Sequence, residues 1–384
     1  MTPPFIPYGR QIVDQEDIDA VVDVLRGDWL TTGPAVGAFE EAFAAHAHAA
    51  HAVAVANGTA ALHLSVIAAE IGPGDEVIVP ALTFAASANC VRYAGGTVVF
   101  ADVREDTLTV DTDAVAALIT PRTKAIVAVD YGGMPCDLDE LVALADRHGL
   151  TLIEDASHAP GAEYRGRAVG GIADLTTFSF HPVKHLTTGE GGMVTTDDAA
   201  LAQRLRRLRN HGIDSDHRQR EELGTWAYDM VELGFNYRLA DINCALGTSQ
   251  LAHLPEWLKI RRELVARYDA ALRDQAWCRT QHEPTDRRSA WHLYPLRVVA
   301  DDAAALRRTM FDVLRANGVG VNVHYVPVYL HTYYRRLGYG PGLCPIAERA
   351  YDGLLSLPMW PGLSTDDQDR VIGLVADAAG GGNA

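Results

Sequence analysis

Between residues 51 and 180, short apolar runs rich in β-branched residues alternate with segments of helical period. The runs are residues 51–55, 76–79, 97–101, 124–129, 151–153 and 175–180, and helical stretches such as 60–69 and 138–148 lie between them. Strands this short and apolar, separated by helices, pack as a mostly parallel sheet covered on both faces. The chain is therefore expected to be an α/β protein, with ligands bound beyond the carboxyl ends of the strands. Upstream, Ile18, Val21, Val22 and Leu25 share one face of a helix over about residues 17–25, ended by Gly27, and Phe39 and Phe43 lie one turn apart in a second helix. Downstream, the pattern changes from about residue 236 to long helices, including one over 254–273, and further α/β runs at 291–299, 303–316 and 319–325 predict a smaller C-terminal part. A chain of 384 residues exceeds one typical core. The expected division is a large domain over residues 1–250 and a small domain over 251–384.

The net charge of −17 repels phosphate backbones, so nucleic acid is not an expected partner. Five scattered cysteines (Cys90, Cys136, Cys244, Cys278 and Cys344) include no C-x-x-C pair, which argues for free thiols in a reducing compartment and against a zinc site. No histidine spacing suggests a metal, and none is expected. Residues 1–8 lack a basic stretch leading into an apolar run, and no apolar run approaches the ~20 residues of a membrane span. A cytoplasmic location without membrane association is expected. Only the glycine-rich tail, residues 380–384, reads as disordered.

Chemistry concentrates after the strand candidates. Ser179-Phe180-His181-Pro182-Val183-Lys184 leads from a strand into a glycine-rich turn ending at Gly192. A lysine held in such a place can form an imine with an aldehyde cofactor, although a loop lysine on the surface is the commoner case. Glu154 and Asp155 follow Leu152 and Ile153 at another strand end. A carboxylate there suits a protonated pyridine nitrogen, and it equally suits a helix cap. Asn57-Gly58-Thr59 opens an alanine-rich helix, a place for phosphate or for an ordinary N-cap, and Ser179 offers another hydroxyl. Phe84 is either a stacking face or a core residue. Arg238 is either an anion ligand or half of a surface ion pair. The aromatic segment 321–329 suits sugar or nucleotide contact, or an edge strand. No P-loop, nucleophile elbow or dinucleotide fingerprint is present.

In this order, segments 57–62, 80–89, 154–161, 179–192 and 234–247 resemble the DegT/DnrJ/EryC1/StrS family of sugar aminotransferases. The resemblance runs from Pro7-Tyr8 to about residue 360. It implies a PLP-dependent type I aminotransferase fold: a large domain with a mostly parallel seven-stranded sheet plus a smaller C-terminal α/β domain. It further implies a homodimer with shared active sites and pyridoxal 5′-phosphate (PLP) alternating with pyridoxamine 5′-phosphate. In that family's terms Lys184 is the Schiff-base lysine, Asp155 pairs with the ring nitrogen, Phe84 stacks on the ring and His158 lies at its hydroxyl side. Asn57, Gly58, Thr59 and Ser179 hold the phosphate, and Asn236 and Arg238 reach in from the neighbouring subunit. Tyr8, Asp28, Trp29, Leu30, Thr31, His324 and Tyr325 match substrate-contacting segments. Some relatives carry histidine in place of the lysine and remove a hydroxyl; Lys184 here favours transamination. The segments SFHPVKHLTTGEGG (179–192), DMVELGFNYRL (229–239), HLYP (292–295) and GVNVHYVP (320–327) are similar to the branch that makes UDP-4-amino-4,6-dideoxy-N-acetyl-β-L-altrosamine for pseudaminic acid, with L-glutamate as donor. A dTDP-keto-sugar, an aminocyclitol ketone or a non-catalytic regulator on the same fold stays open.

Overall fold

The computed structural model describes residues 4–215, 220–221 and 224–380. The tail at 381–384 lies outside the described residues. In chain order the elements are α1 (Gln15–Arg26), α2 (Pro34–Ala47), β1 (His51–Val55), α3 (Gly58–Ala68), β2 (Glu76–Pro80), α4 (Ala86–Tyr93), β3 (Thr97–Ala101), α5 (Thr112–Leu118), β4 (Thr123–Val129), α6 (Leu138–His148), β5 (Thr151–Asp155), β6 (Glu163–Tyr164), β7 (Arg167–Ala168), β8 (Leu175–Ser179), β9 (Gly192–Thr196), α7 (Ala199–Leu208) and α8 (Asp241–Leu272). The C-terminal part adds β10 (Cys278–Arg279), β11 (Arg287–Arg288), β12 (Tyr294–Val298), α9 (Ala303–Ala316), α10 (Thr332–Arg336), α11 (Pro345–Gly353), β13 (Leu354–Leu357) and α12 (Thr365–Gly380).

Seven strands form the main sheet in the order β1-β9-β8-β5-β4-β2-β3. The pairings from β8 through β5, β4 and β2 to β3 are parallel, and β9 runs antiparallel to both β1 and β8. The expected α/β class and mostly parallel sheet are what the chain adopts. Strand β9 is an addition to the sequence reading. Its Thr195 and Thr196 hydroxyls donate to Gly170 O and Asp174 O, each at 2.7 Å, so a polar strand is satisfied between two apolar ones.

Strands β1 and β2 are apolar almost throughout because helices cover both sheet faces. On one side Phe39 and Phe43 of α2 meet Phe178 and Phe180 at ring separations of 4.8–5.4 Å. Each such pair adds about 0.5–1.5 kcal/mol beyond its area burial. Helix α1 begins in a capping box, in which Asp14 and Asp17 each accept from the other's backbone N–H.

The long helix expected over 254–273 starts at Asp241 instead and carries Pro255 within it. Its first half packs Leu251, Leu254 and Leu258 with the α2 phenylalanines, and its second half packs Leu264, Val265, Tyr268 and Leu272 with the C-terminal sheet β10-β12-β13. Residue 250, the expected division, lies inside this helix. The run at 319–325 is extended but forms only isolated bridges, Ile6 to Val319 and Asn322 to Ser356. That segment carries His324 and Tyr325 back over the sheet.

Candidate active site

The carboxyl ends of β4, β5 and β8, the start of α3 and the 322–325 segment enclose a cavity of about 640 Å³. It is lined by Tyr8, Asn57, Gly58, Thr59, Phe84, Asp155, His158, Ser179, Lys184, His324 and Tyr325 from the sequence reading. These residues span more than 300 positions, and the sheet gathers them at one edge.

Asp155 closes β5 and is 5% exposed. Its Oδ2 accepts from Ser87 Oγ at 2.7 Å, and its Oδ1 accepts from Ser157 Oγ at 2.6 Å and Ser157 N at 3.2 Å. Ser87 Oγ in turn lies 2.8 Å from Thr83 Oγ1. These donors fix the direction of the carboxyl group. The sequence reading missed Ser87, Thr83 and Ser157. Ser157, two residues past Asp155, was detectable as a local side-chain turn; Ser87 was not.

Lys184 follows β8 in a tight turn, with its N–H donating to His181 O at 2.8 Å. Burial lowers its ammonium from the usual lysine range to about 8, against an opposing pull from Asp155. A large share of the side chain is therefore neutral amine at mildly alkaline pH.

Asn57 caps α3, its Oδ1 accepting from Ala60 N at 2.8 Å. The side-chain oxygen is thus committed to the helix, and the first N–H groups of α3 remain for an anion. Ser179 stands against this turn: a Cβ on Gly58 would lie 2.8 Å from Ser179 Cβ. Gly192 on β9 backs the same turn, where a Cβ would come within 2.6 Å of the Asn57 carbonyl. Phe84 is 58% exposed and presents its ring to the cavity, 5.9 Å from the Tyr325 ring.

The imidazoles here are neutral. Burial first, then Lys184, His324 and His185, hold His158 well below the usual histidine range. Its Nδ1 accepts from Gly132 N at 3.3 Å, so its hydrogen sits on Nε2, which lies 3.2 Å from Tyr325 Oη. Gly132 points its N–H this way from a turn with φ of 69°. His324, lowered to about 4 by burial and Lys184, has Nε2 facing Asn322 Nδ2 at 3.3 Å and Nδ1 facing Ser356 Oγ at 2.8 Å. His292, whose ring is 4.4 Å from that of His158, also lines the cavity and was not anticipated.

Asp28, Trp29, Leu30 and Thr31 do not line this cavity; they form an exposed loop between α1 and α2. Asn236 and Arg238 also lie outside it. Asn236 bridges Asn210, and Arg238 Nη1 donates to Asn210 Oδ1 at 2.7 Å. Among the described residues, Asp14, Asp17 and His253 group as metal ligands would, but the two aspartates are the α1 capping box.

The arrangement fits PLP. A helix start with a hydroxyl beside it can take a phosphate, a fixed carboxylate can take a pyridinium, and a buried lysine and an open aromatic ring line the same cavity. The profile of the DegT/DnrJ/EryC1/StrS aminotransferase family matches residues 11–376. The spore coat polysaccharide biosynthesis protein SpsC of Bacillus subtilis is 43% identical over 98% of both chains. Spr1654 from Streptococcus pneumoniae in its PMP form superposes with a TM-score of 0.93 at 32% identity, covering 98% of this chain and 99% of that one. Helicobacter pylori PseC, an aminotransferase of pseudaminic acid biosynthesis, gives 0.91 at 31% identity, covering 98% and 100%.

Proposed function

This chain belongs to the DegT/DnrJ/EryC1/StrS aminotransferase family, and from that premise we propose that it aminates C4 of UDP-2-acetamido-2,6-dideoxy-β-L-arabino-hexos-4-ulose with L-glutamate as donor. It is an enzyme, a PLP-dependent sugar aminotransferase. The observation that carries this reading is the convergence of Asp155, Lys184 and the Ser179–Gly58 turn on one cavity. The likeness to PseC supports the UDP-sugar. The higher identity to SpsC favours a second reading, the same chemistry on another nucleotide-linked keto-sugar.

When bound, PLP supplies an electron sink for charge at the amino-bearing carbon. Asp155, held by two serine hydroxyls, would be the residue to pair with the ring nitrogen. Lys184 Nζ takes a proton from Cα of the donor and delivers one to C4 of the sugar, a role for which its lowered affinity for protons suits it. His158 Nε2–H occupies one side of the Tyr325 oxygen, leaving the Tyr325 hydroxyl hydrogen to point toward substrate oxygen. His324 has both ring nitrogens engaged, so it orients substrate and does not carry protons.

We read the protein as a homodimer in which Asn236, Arg238 and the 28–31 loop complete the neighbour's site. Among the described residues, no helix is long and apolar enough to cross a membrane; a cytoplasmic location is our proposal. The substrate test is one half-reaction. Enzyme converted by glutamate to its amino form and freed of glutamate is mixed with the UDP-keto-sugar. Rapid return of the original cofactor absorbance is expected. No return after complete conversion would reject this sugar and keep the aminotransferase.

A further inference from the structure

Behind Asp155, on the opposite face of β5, two carboxyl groups lie with no ion-pair partner among the described residues. Asp130 follows β4 and Glu154 precedes Asp155, and both are fully buried. Asp130 Oδ1 accepts from Cys136 N at 2.9 Å, and Glu154 Oε2 accepts from Thr176 Oγ1 at 2.9 Å. Asp130 Oδ2 and Glu154 Oε1 have no hydrogen-bond donor among the described residues. The two residues stand on the ends of the paired strands β4 and β5, within electrostatic reach of each other. Two ionised carboxylates are acceptors only, so these two oxygens can satisfy each other only if one of them carries a proton.

We propose that Asp130 and Glu154 share a single proton, and that this bond locks the ends of β4 and β5 and so positions Asp155. The backbone makes the same connection: Asp130 N donates to Asp155 O at 3.1 Å. The charged and titratable groups around the pair are Cys136, Asp137, Asp155 and the more distant Arg167. Burial and mutual repulsion raise Asp130 well above the usual carboxylate range, and burial pushes Glu154 up to about 7. Both shifts are upward, so the pair favours the fold at low pH; that contribution is full below the ordinary carboxylate value of about 4 and is lost progressively as pH rises through about 7. The inference does not depend on which sugar the enzyme uses.

The test compares the PLP-loaded wild type with Asp130→Asn. The asparagine amide can still donate to Glu154, so the variant should fold, but it brings no titrating proton. Between about pH 5 and 7 the wild-type unfolding constant should climb more steeply than that of the variant, approaching tenfold per pH unit for one proton. The infrared difference spectrum of the two proteins should show loss of one protonated carboxyl band. Equal slopes, or no such band, would overturn the shared proton. Positioning is tested by PLP affinity: Asp130→Asn should retain it, while Asp130→Ala should raise the dissociation constant about tenfold or more. Wild-type affinity in the alanine variant would overturn the positioning role.

Discussion

The strand ends that carry Asp155 and Lys184 differ sharply from the segment over residues 224–238. At the strand ends the polar groups that face the cavity are held from several sides, by Ser87 and Ser157 around Asp155 and by Gly132 and Tyr325 around His158. The other segment exposes Trp226 by 89% and Leu233 by 79%, with Tyr228, Met230 and Val231 also open. A contiguous run of exposed large apolar residues marks a surface awaiting a partner. Asn236 and Arg238, expected in the site, border that run, and so on our reading the site is half finished within one chain. In that proposal the chemistry is built in one subunit, and its outer wall comes from a second copy.

The largest effect should fall on the completed half. Lys184→Ala should lower turnover by on the order of 10³-fold or more while leaving the thermal midpoint within a few degrees. Steady-state kinetics beside a melting curve checks both; normal turnover would refute the assignment of the lysine. Next, Trp226→Glu with Leu233→Glu should break self-association, seen by sedimentation, and lower activity by a factor that recovers at high protein concentration. A fully active monomer would dissolve the contrast between the two regions.

A smaller effect is expected of Asn236→Ala, which should weaken PLP binding by about tenfold without changing the fold, the scale of one hydrogen bond to a charged group. An unchanged dissociation constant would remove Asn236 from the site. The mildest test is pH. In the enzyme form with Lys184 free, the rate of reaction with keto-sugar should rise with pH through about 8, since the ammonium form that predominates below it cannot accept a proton.

What was legible in the sequence followed from local patterns. Strands β1 and β3 and helices α6 and α9 appear at the bounds expected from their apolar periodicity. Lys184, Asp155 and Ser179 were recognisable because each ends or follows a strand at the same sheet edge. What escaped was tertiary. Ser87 meets Asp155 across 68 positions, a pairing no local pattern encodes. The change to long helices from about residue 236 was legible, but the single run of α8 from Asp241 was not, because its apolar residues divide between two cores and its stripe is diffuse. Asp28 to Thr31 were placed in the site by resemblance, and within one chain they lie outside it.

The most direct test of the central claim is chemical. Protein loaded with PLP is reduced with borohydride, digested and read by mass spectrometry. The account predicts one cofactor adduct, on Lys184, and none in the Lys184→Ala protein. An adduct on another lysine, or a protein that takes up no PLP at all, would contradict it.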